Sequence, residues 1–134
     1  MAKQTIFVVD DEPLITRLAQ VNLEHGGYQV QIAHDGVAAL EALQTGQVQP
    51  DLILLDIMLP YLDGFELLNR LKGFPELAAI PVVVMTARAH DKDVVMGHSI
   101  GAERYLTKPI NPAELLKTVK EVLAERQAGT GTEA

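Results

Sequence analysis

The chain alternates short apolar runs with longer segments of helical spacing, and this alternation restricts its fold more than any other feature. The runs are rich in β-branched residues, as strands are. Two of them are apolar throughout, which is typical of strands buried on both faces of a parallel sheet. The pattern predicts an α/β domain, doubly wound with right-handed crossovers, with a five-stranded parallel sheet and five helices. The five runs are "QTIFVVD", "YQVQIA", "DLILLD", "IPVVVMT" and "ERYLT".

Glycine and proline residues set the limits of the predicted helices. The first helix is predicted to stop at Gly26 and Gly27, and the second to end near Gly46. The stretches "GFELLNRLKG" and "DKDVVMGHSIG" predict the third and fourth helices. The fifth runs from Pro112 to about Arg126, with proline in its first turn and apolar residues on one side.

Length and composition indicate one domain. With 134 residues, of which 48% are hydrophobic, the chain can bury about two thirds of its unfolded surface without a disulfide. It contains no cysteine, so thiolate chemistry is excluded. We predict a single domain over residues 1–126, followed at 127–134 by a flexible tail or the start of a linker, because the final segment is rich in Gly and Thr.

The charge of the chain restricts its partners. The formal net charge is -7, with only 11 Lys and Arg residues, whereas binding to nucleic-acid phosphates requires clustered positive charge. We therefore expect protein or cation partners and no direct nucleic-acid binding. The sequence shows neither a signal peptide nor an apolar run of roughly 18 residues, so we expect a cytoplasmic location without membrane association.

Polar residues stand at the carboxyl ends of four predicted strands. These are Asp10 and Asp11 after the first strand, Asp56 after the third, Thr86 after the fourth and Lys108 after the fifth. Each of them alone has an ordinary structural explanation, such as Asp11 capping the first helix. In doubly wound sheets, however, ligands bind beyond the carboxyl ends of the strands. The joint occurrence therefore predicts that these side chains converge on one site.

Such a group of carboxylates needs positive charge. Two unit charges about 4 Å apart repel by roughly 4 kcal/mol at an effective dielectric constant of about 20, so the cluster should take up protons or a cation. Oxygen ligands of this kind suit Mg²⁺, with Mn²⁺ as a substitute. Lys108 could neutralise a phosphoryl oxygen and the hydroxyl of Thr86 could donate a hydrogen bond to another. The residues together indicate phosphoryl transfer to an acid.

At this point the chain resembles the receiver domains of response regulators, the CheY-like domains of two-component signal transduction. The resemblance runs from about Thr5 to Ala124. It implies a flavodoxin-like fold with strand order 2-1-3-4-5, and a signalling switch that catalyses only its own phosphorylation and dephosphorylation. The motifs that carry it are "VVDDEP", "DLILLDIMLPYLDGFELL", "VVVMTA" and "GAERYLTKP", in this order.

The resemblance implies roles for the residues of the predicted site. Asp56 would accept a phosphoryl group from the phosphohistidine of a sensor histidine kinase or a histidine phosphotransfer protein. Asp11 and Asp56 would bind Mg²⁺ together with the backbone carbonyl of Met58, while Asp10 would act through a bound water. Lys108 would pair with the phosphoryl group.

The resemblance also implies residues for the switch. Thr86 would move towards the phosphoryl group, and Tyr105 would follow it from an exposed to a buried position. The face formed by the fourth predicted helix, the fifth strand and the fifth helix would then bind a downstream protein partner or effector domain. Met58 and Arg88 would tune the lifetime of the phosphate, and the bond before Pro109 would be cis.

Several alternatives stay open at this stage. Arg104 reverses a charge on the face through which OmpR-like receivers dimerise, so we favour a stand-alone receiver, with a phosphorylation-dependent homodimer as a further option. A receiver belonging to a longer multidomain regulator is a second reading, and a docking module that has lost phosphorylation is a third. A Mg²⁺-dependent phosphohydrolase of haloacid-dehalogenase type is a fourth, although that family uses a DxD spacing and Asp10 and Asp11 are adjacent.

Overall fold

The computed structural model describes residues 3–87 and 101–132, with side chains to residue 127. Its strands form one parallel sheet in the order β2-β1-β3-β4-β5, which confirms the predicted doubly wound α/β fold. The strands are β1 (Thr5–Val9), β2 (Gln29–Ala33), β3 (Leu52–Asp56), β4 (Val82–Thr86) and β5 (Arg104–Thr107). The helices are α1 (Pro13–His25), α2 (Gly36–Gln44), α3 (Gly64–Lys72), α4 (Pro75–Ala78) and α5 (Pro112–Thr132).

The sheet separates two hydrophobic cores. Successive side chains of a strand point to opposite faces, so each strand contributes to both cores. Phe7 and Val9 pack in the core that contains α2 and α3, while Ile6 and Val8 pack in the core that contains α1 and α5. Every residue of β3 and β4 is buried, which explains why these two runs are apolar almost throughout.

Two crossed ion pairs join α5 to the start of β5. Nη2 of Arg104 lies 2.6 Å from Oε2 of Glu125, and Nη2 of Arg126 lies 3.1 Å from Oε1 of Glu103. The four side chains are 33 to 55% exposed, so each pair contributes at most about 1 kcal/mol to stability. We therefore expect the pairs to affect the position of α5 along β5 more than the free energy of unfolding.

The helices differ from the prediction in two respects. The fourth predicted helix, "DKDVVMGHSIG", lies almost wholly within residues 88–100, outside the described residues, and stays a prediction. Helix α4 was not predicted, because a single turn shows no apolar period. The predicted end of the last helix near Arg126 was wrong, since α5 continues to Thr132. Glycine costs about 1 kcal/mol inside a helix, and this cost suggested an earlier end. Within the described ranges no helix is both long and apolar enough to cross a membrane.

Candidate functional site

The polar residues predicted to converge do so at the carboxyl edge of the sheet. Asp10 directly follows β1, Asp56 is the last residue of β3, and Lys108 directly follows β5. The strands are in parallel register, with Val9 beside Leu55 and Asp56 beside Met85, so their ends lie side by side. The fold therefore brings together residues that are far apart in the sequence.

Lys108 is the centre of this site. Its Nζ atom lies 2.9 Å from Oδ2 of Asp10, 3.0 Å from Oδ2 of Asp56 and 2.8 Å from Oε1 of Glu12. Asp10 and Asp56 are almost fully buried, and the side chain of Lys108 is 11% exposed. A buried ammonium group is thus held by three carboxylates, in a part of the protein where water screens charges only weakly.

The environment shifts two pKa values in the site. Burial alone would lower the pKa of Lys108, but hydrogen bonds to Glu12, Asp10 and Asp56 outweigh it, so the pKa of Lys108 is raised and the amine stays charged. Burial raises the pKa of Asp10, and the hydrogen bonds from Lys108 and from the backbone N–H of Glu12 offset this only in part. The nearby charge of Asp56 raises it further. The ionised form of Asp10 is therefore compensated only in part by its neighbours in the site.

We expect Asp10→Asn to stabilise the metal-free protein by about 1 kcal/mol near neutral pH, because it removes a poorly compensated buried charge. In the folded state the pKa of Asp10 is raised above its ordinary value of 3.8, and in the unfolded chain the ordinary value applies. Stability linked to Asp10 is therefore present below that value and is lost as the pH rises through the raised pKa. Urea unfolding with a chelator should show a larger gain near neutral pH than in mild acid.

Asp51→Asn is the matched control, because Asp51 is an exposed acid just before the opposite end of β3. The stability of Asp51→Asn should stay close to that of the wild type, because an amide oxygen can still accept the hydrogen bond from the N–H of Thr5. A loss of stability in Asp10→Asn near neutral pH would contradict the interpretation that the buried charge of Asp10 is poorly compensated.

The acidic residues fit a divalent cation. Asp10, Asp11, Glu12 and Asp56 each offer a carboxylate oxygen, and these atoms all lie within 4.8 Å of one another. Oδ2 of Asp10 is buried, and the amine of Lys108, at 2.9 Å, is its charged neighbour. A buried carboxylate oxygen with spare capacity, next to exposed acids, is a donor set that Mg²⁺ or Mn²⁺ can use.

The carboxylate of Asp56 is fixed by its neighbours. Its Oδ1 atom accepts a hydrogen bond from the backbone N–H of Met58 at 2.9 Å, while Oδ2 contacts Lys108. Gly64 packs directly against the backbone of Asp56 and Ile57, where any Cβ atom would collide. Asp56 is thus held rigidly at the end of the strand, with both oxygens directed towards polar partners.

The other predicted residues lie nearby. Thr86 is buried at the end of β4, and its carbonyl oxygen accepts a hydrogen bond from the N–H of Lys108 at 2.9 Å. Tyr105 is half-buried in β5, beside Val84. The side chain of Met58 is 51% exposed. The bond between Lys108 and Pro109 is cis, as the resemblance implied.

One predicted residue and one structural alternative need separate comment. Arg88 lies outside the described residues, so its predicted role in tuning the phosphate lifetime stays a prediction. Asp11 does not cap α1, because the N-cap residue is Glu12 and no side chain makes the capping hydrogen bond. The ordinary explanation of Asp11 as a helix cap is therefore wrong.

Sequence reasoning missed the part played by Glu12. Its carboxylate makes the shortest of the three contacts with Lys108, although its side chain is 57% exposed. The sequence did contain an indication that Glu12 belongs to the site, because this residue continues the acidic run after β1. A flexible, exposed glutamate nevertheless gives no indication of which way it points, so its contact with residue 108 could not be inferred.

The protein is thus an α/β domain with strand order 2-1-3-4-5 that carries two buried aspartates and a lysine at the carboxyl edge of its sheet. The sequence model of the response regulator receiver domain matches residues 6–120, and the chain belongs to this family. The family assignment goes against the phosphohydrolase alternative. It also agrees with a signalling switch rather than an enzyme that turns over a separate substrate.

Individual relatives agree with this assignment. The DNA-binding dual master transcriptional regulator RpaA of Synechocystis is 45% identical over 118 residues, covering 88% of this chain and 48% of RpaA. A CheY-like receiver domain protein from Methanospirillum hungatei has a TM-score of 0.87 and 30% identity, covering 96% of this chain and 99% of that one. The Mn²⁺-bound form of the response regulator Rcp1 has a TM-score of 0.77 and 36% identity, with coverages of 89% and 91%.

The relatives correct the prediction about partners. The chain spans about half the length of the curated relatives it matches, and the relative named above is itself described as DNA-binding. The expectation of no direct nucleic-acid binding was therefore wrong as a statement about proteins of this kind. The net charge of one domain does not restrict what another domain of a longer protein binds.

Proposed function

We propose that this domain accepts a phosphoryl group on Asp56 from the phosphohistidine of a sensor histidine kinase or histidine phosphotransfer protein. The observation that carries the proposal is the contact of 3.0 Å between the buried carboxylate of Asp56 and Nζ of Lys108, beside a second buried aspartate. A carboxylate held this way can act as a nucleophile, and a fixed cation stands ready for the charge that arrives with the phosphoryl group.

The transfer exchanges one bond to phosphorus for another. A carboxylate oxygen of Asp56 forms a P–O bond while the P–N bond of the phosphohistidine breaks. The electron pair of the broken bond stays on the imidazole, which takes up a proton. The product is an acyl phosphate on Asp56. Such transfers need positioning and charge stabilisation more than covalent assistance from the protein.

Charge stabilisation comes from two sources. Lys108 pairs with a phosphoryl oxygen, and its raised pKa keeps it protonated. Asp10, Asp11 and Asp56, with the backbone carbonyl of Met58, are the groups that would hold Mg²⁺. When bound, Mg²⁺ offsets negative charge on the transferred phosphoryl oxygens. The Mn²⁺-bound relative supports a divalent cation here.

The proposed switch uses residues on adjacent strands. Thr86 ends β4 beside Thr107 in β5, and Tyr105 lies two residues earlier in that strand. Once Asp56 is phosphorylated, a phosphoryl oxygen would accept a hydrogen bond from the hydroxyl of Thr86. This bond would draw Thr86 inward, and Tyr105 would follow. The resulting change at β5 and α5 would pass the signal to a partner or effector domain. The transcriptional regulators among the relatives support a transcriptional output.

The test of this function uses a small donor with a P–N bond. Incubation with phosphoramidate and Mg²⁺ should increase the mass of the protein by one phosphoryl group, and peptide mapping should place the group on Asp56. A chelator should suppress the reaction. Modification at another residue, or equal uptake without a divalent cation, would contradict the proposal.

Metal binding has its own readout. Mg²⁺ at about 100 times its dissociation constant should stabilise the domain by about 2.7 kcal/mol, because it binds the folded state. Thermal unfolding with and without Mg²⁺ measures this gain, and Asp11→Asn should remove most of it. Asp51→Asn, at the opposite edge of the sheet, should retain it. An Asp11→Asn protein that responds to Mg²⁺ like the wild type would exclude this ligand assignment.

A further inference from the structure

The loop from residue 57 to residue 63, between β3 and α3, contains a strained residue. Tyr61 has φ of 69°, a region that bulky side chains rarely adopt. The N–H of Leu62 donates a hydrogen bond to the carbonyl of Pro60 at 2.8 Å, so the three residues form a γ-turn centred on Tyr61. The γ-turn with positive φ is the rare and strained form. Glycine would adopt this conformation without strain.

Packing within residues 3–87 and 101–132 does not offset this strain, because these residues leave the side chain of Tyr61 almost entirely uncovered. It is 88% exposed, the most exposed of the large hydrophobic residues described. Its hydroxyl forms no hydrogen bond to any residue in the part of the chain that the structure covers. Strained backbone of this kind concentrates at functional positions. The aromatic ring is therefore expected to make its contacts outside the domain.

The surrounding structure holds the loop in place. Leu59 is buried, and Leu62 packs against the core that contains α2 and α3. The backbone of Leu62 lies very close to Gly36. A Cβ atom at position 36 would collide with the carbonyl oxygen of Leu62. The carboxylate of Asp63 accepts a hydrogen bond from the N–H of Glu66 and caps α3. Tyr61 is thus a rigid, exposed aromatic residue, and such residues lose little entropy when they bind a protein.

The loop also borders the acceptor. The backbone N–H of Met58 donates a hydrogen bond to the carboxylate of Asp56, and the side chain of Met58 is 51% exposed. The side chain of Asp56 is itself only 3% exposed, so a phosphohistidine must enter the mouth of the site to reach it. A protein that presents this histidine has to cover the residues around that mouth.

We propose that Tyr61, with Met58 on the same loop, forms a contact surface for the protein that donates the phosphoryl group to Asp56. The proposal rests on the proposed function, since it assumes that Asp56 is the acceptor. Tyr61 is then a residue for recognition of the donor, and it takes no part in the transfer of the phosphoryl group.

The experiment compares two donors that break the same kind of bond. One is phosphoramidate, which has a P–N bond and no protein surface. The other is the autophosphorylated sensor kinase that labels the wild-type domain fastest in a panel of such kinases. Initial rates of aspartyl phosphate formation are measured with both donors for the wild type, Tyr61→Gly, Tyr61→Phe and Phe74→Ala. Phe74 is a partly exposed ring at the other end of α3 and serves as the matched control.

We expect Tyr61→Gly to slow transfer from the kinase by at least about tenfold, the scale of a contact that contributes strongly to binding. Its rate with phosphoramidate should equal that of the wild type, and its Tm should not fall, because glycine relieves the strain. Tyr61→Phe should keep most of the kinase rate, and Phe74→Ala should keep the wild-type ratio of the two rates.

Two results would overturn the proposal. Equal kinase rates for Tyr61→Gly and the wild type would show that the ring makes no important contact. A parallel fall with both donors would show that Tyr61 supports the site itself. If neither donor phosphorylated the wild type on Asp56, the proposed function would fail, and this inference would fail with it.

Discussion

We expect Asp56→Asn to abolish phosphorylation of the domain, with uptake from either phosphoramidate or a kinase falling by at least about a hundredfold, as when a nucleophile is removed. An amide is isosteric with the carboxylate but cannot form the acyl phosphate. The fold should survive, since the amide oxygen can still accept the hydrogen bond from the N–H of Met58. Intact-mass measurement after incubation with the donor is the direct readout.

Asp51→Asn is the control for this variant, because it makes the same chemical change just before the other end of β3. It should be phosphorylated like the wild type. Undiminished labelling of Asp56→Asn at another acid would show that the acceptor has been assigned to the wrong residue.

The second large effect is expected for Lys108→Met, which removes an amine shared by three carboxylates. Asp10 and Asp56 would remain buried without the cation that pairs with them, and breaking a buried ion pair from one side costs about 3 kcal/mol. The phosphorylation rate should also fall by about a hundredfold, the usual loss when one charge-stabilising donor is removed. Urea unfolding with a chelator, and the rate with phosphoramidate and Mg²⁺, measure the two effects.

The loss of stability in Lys108→Met should depend on pH in one direction. Lys108 has a raised pKa, so the stability linked to its own titration is complete below its ordinary value of 10.5, and the amine stays charged in the acid and neutral range. In Lys108→Met the buried carboxylate of Asp10, whose pKa is raised by burial, is costly only when it is ionised. The stability deficit should therefore be larger near neutral pH than in mild acid. Lys120→Met, an exposed lysine on α5, should show no such deficit. A constant deficit at all pH values would argue against an electrostatic cause.

The sequence was sufficient to predict the architecture and the convergence of the site. Apolar runs of five residues could be read as buried strands, and parallel strands place their carboxyl ends at one edge. Asp56 and Lys108 are 52 residues apart, yet their contact followed from this rule together with the expected strand order. What the pattern predicted was the meeting of strand ends, which depends on the topology and not on details of any loop.

The features that were not predicted depend on local detail. The γ-turn at Tyr61 has no sequence signal, because the surrounding Pro60 and Gly64 indicate a turn without saying which residue takes a positive φ. The reach of Glu12 to Lys108 depends on a flexible side chain. The partner prediction failed for a different reason: the charge of one domain was applied to a whole protein. Each of these errors concerns information that apolar periodicity does not contain.

The crossed ion pairs between α5 and β5 have a mechanical consequence. The signs of neighbouring charges alternate along both elements, with Glu103 and Arg104 facing Arg126 and Glu125. A displacement that carried Glu125 to the place of Arg126 would set its carboxylate against that of Glu103 and would leave Ala124 opposite Arg104, so both pairs would be lost. The two pairs therefore favour one position of the helix along β5, with a contribution of at most about 1 kcal/mol from each pair.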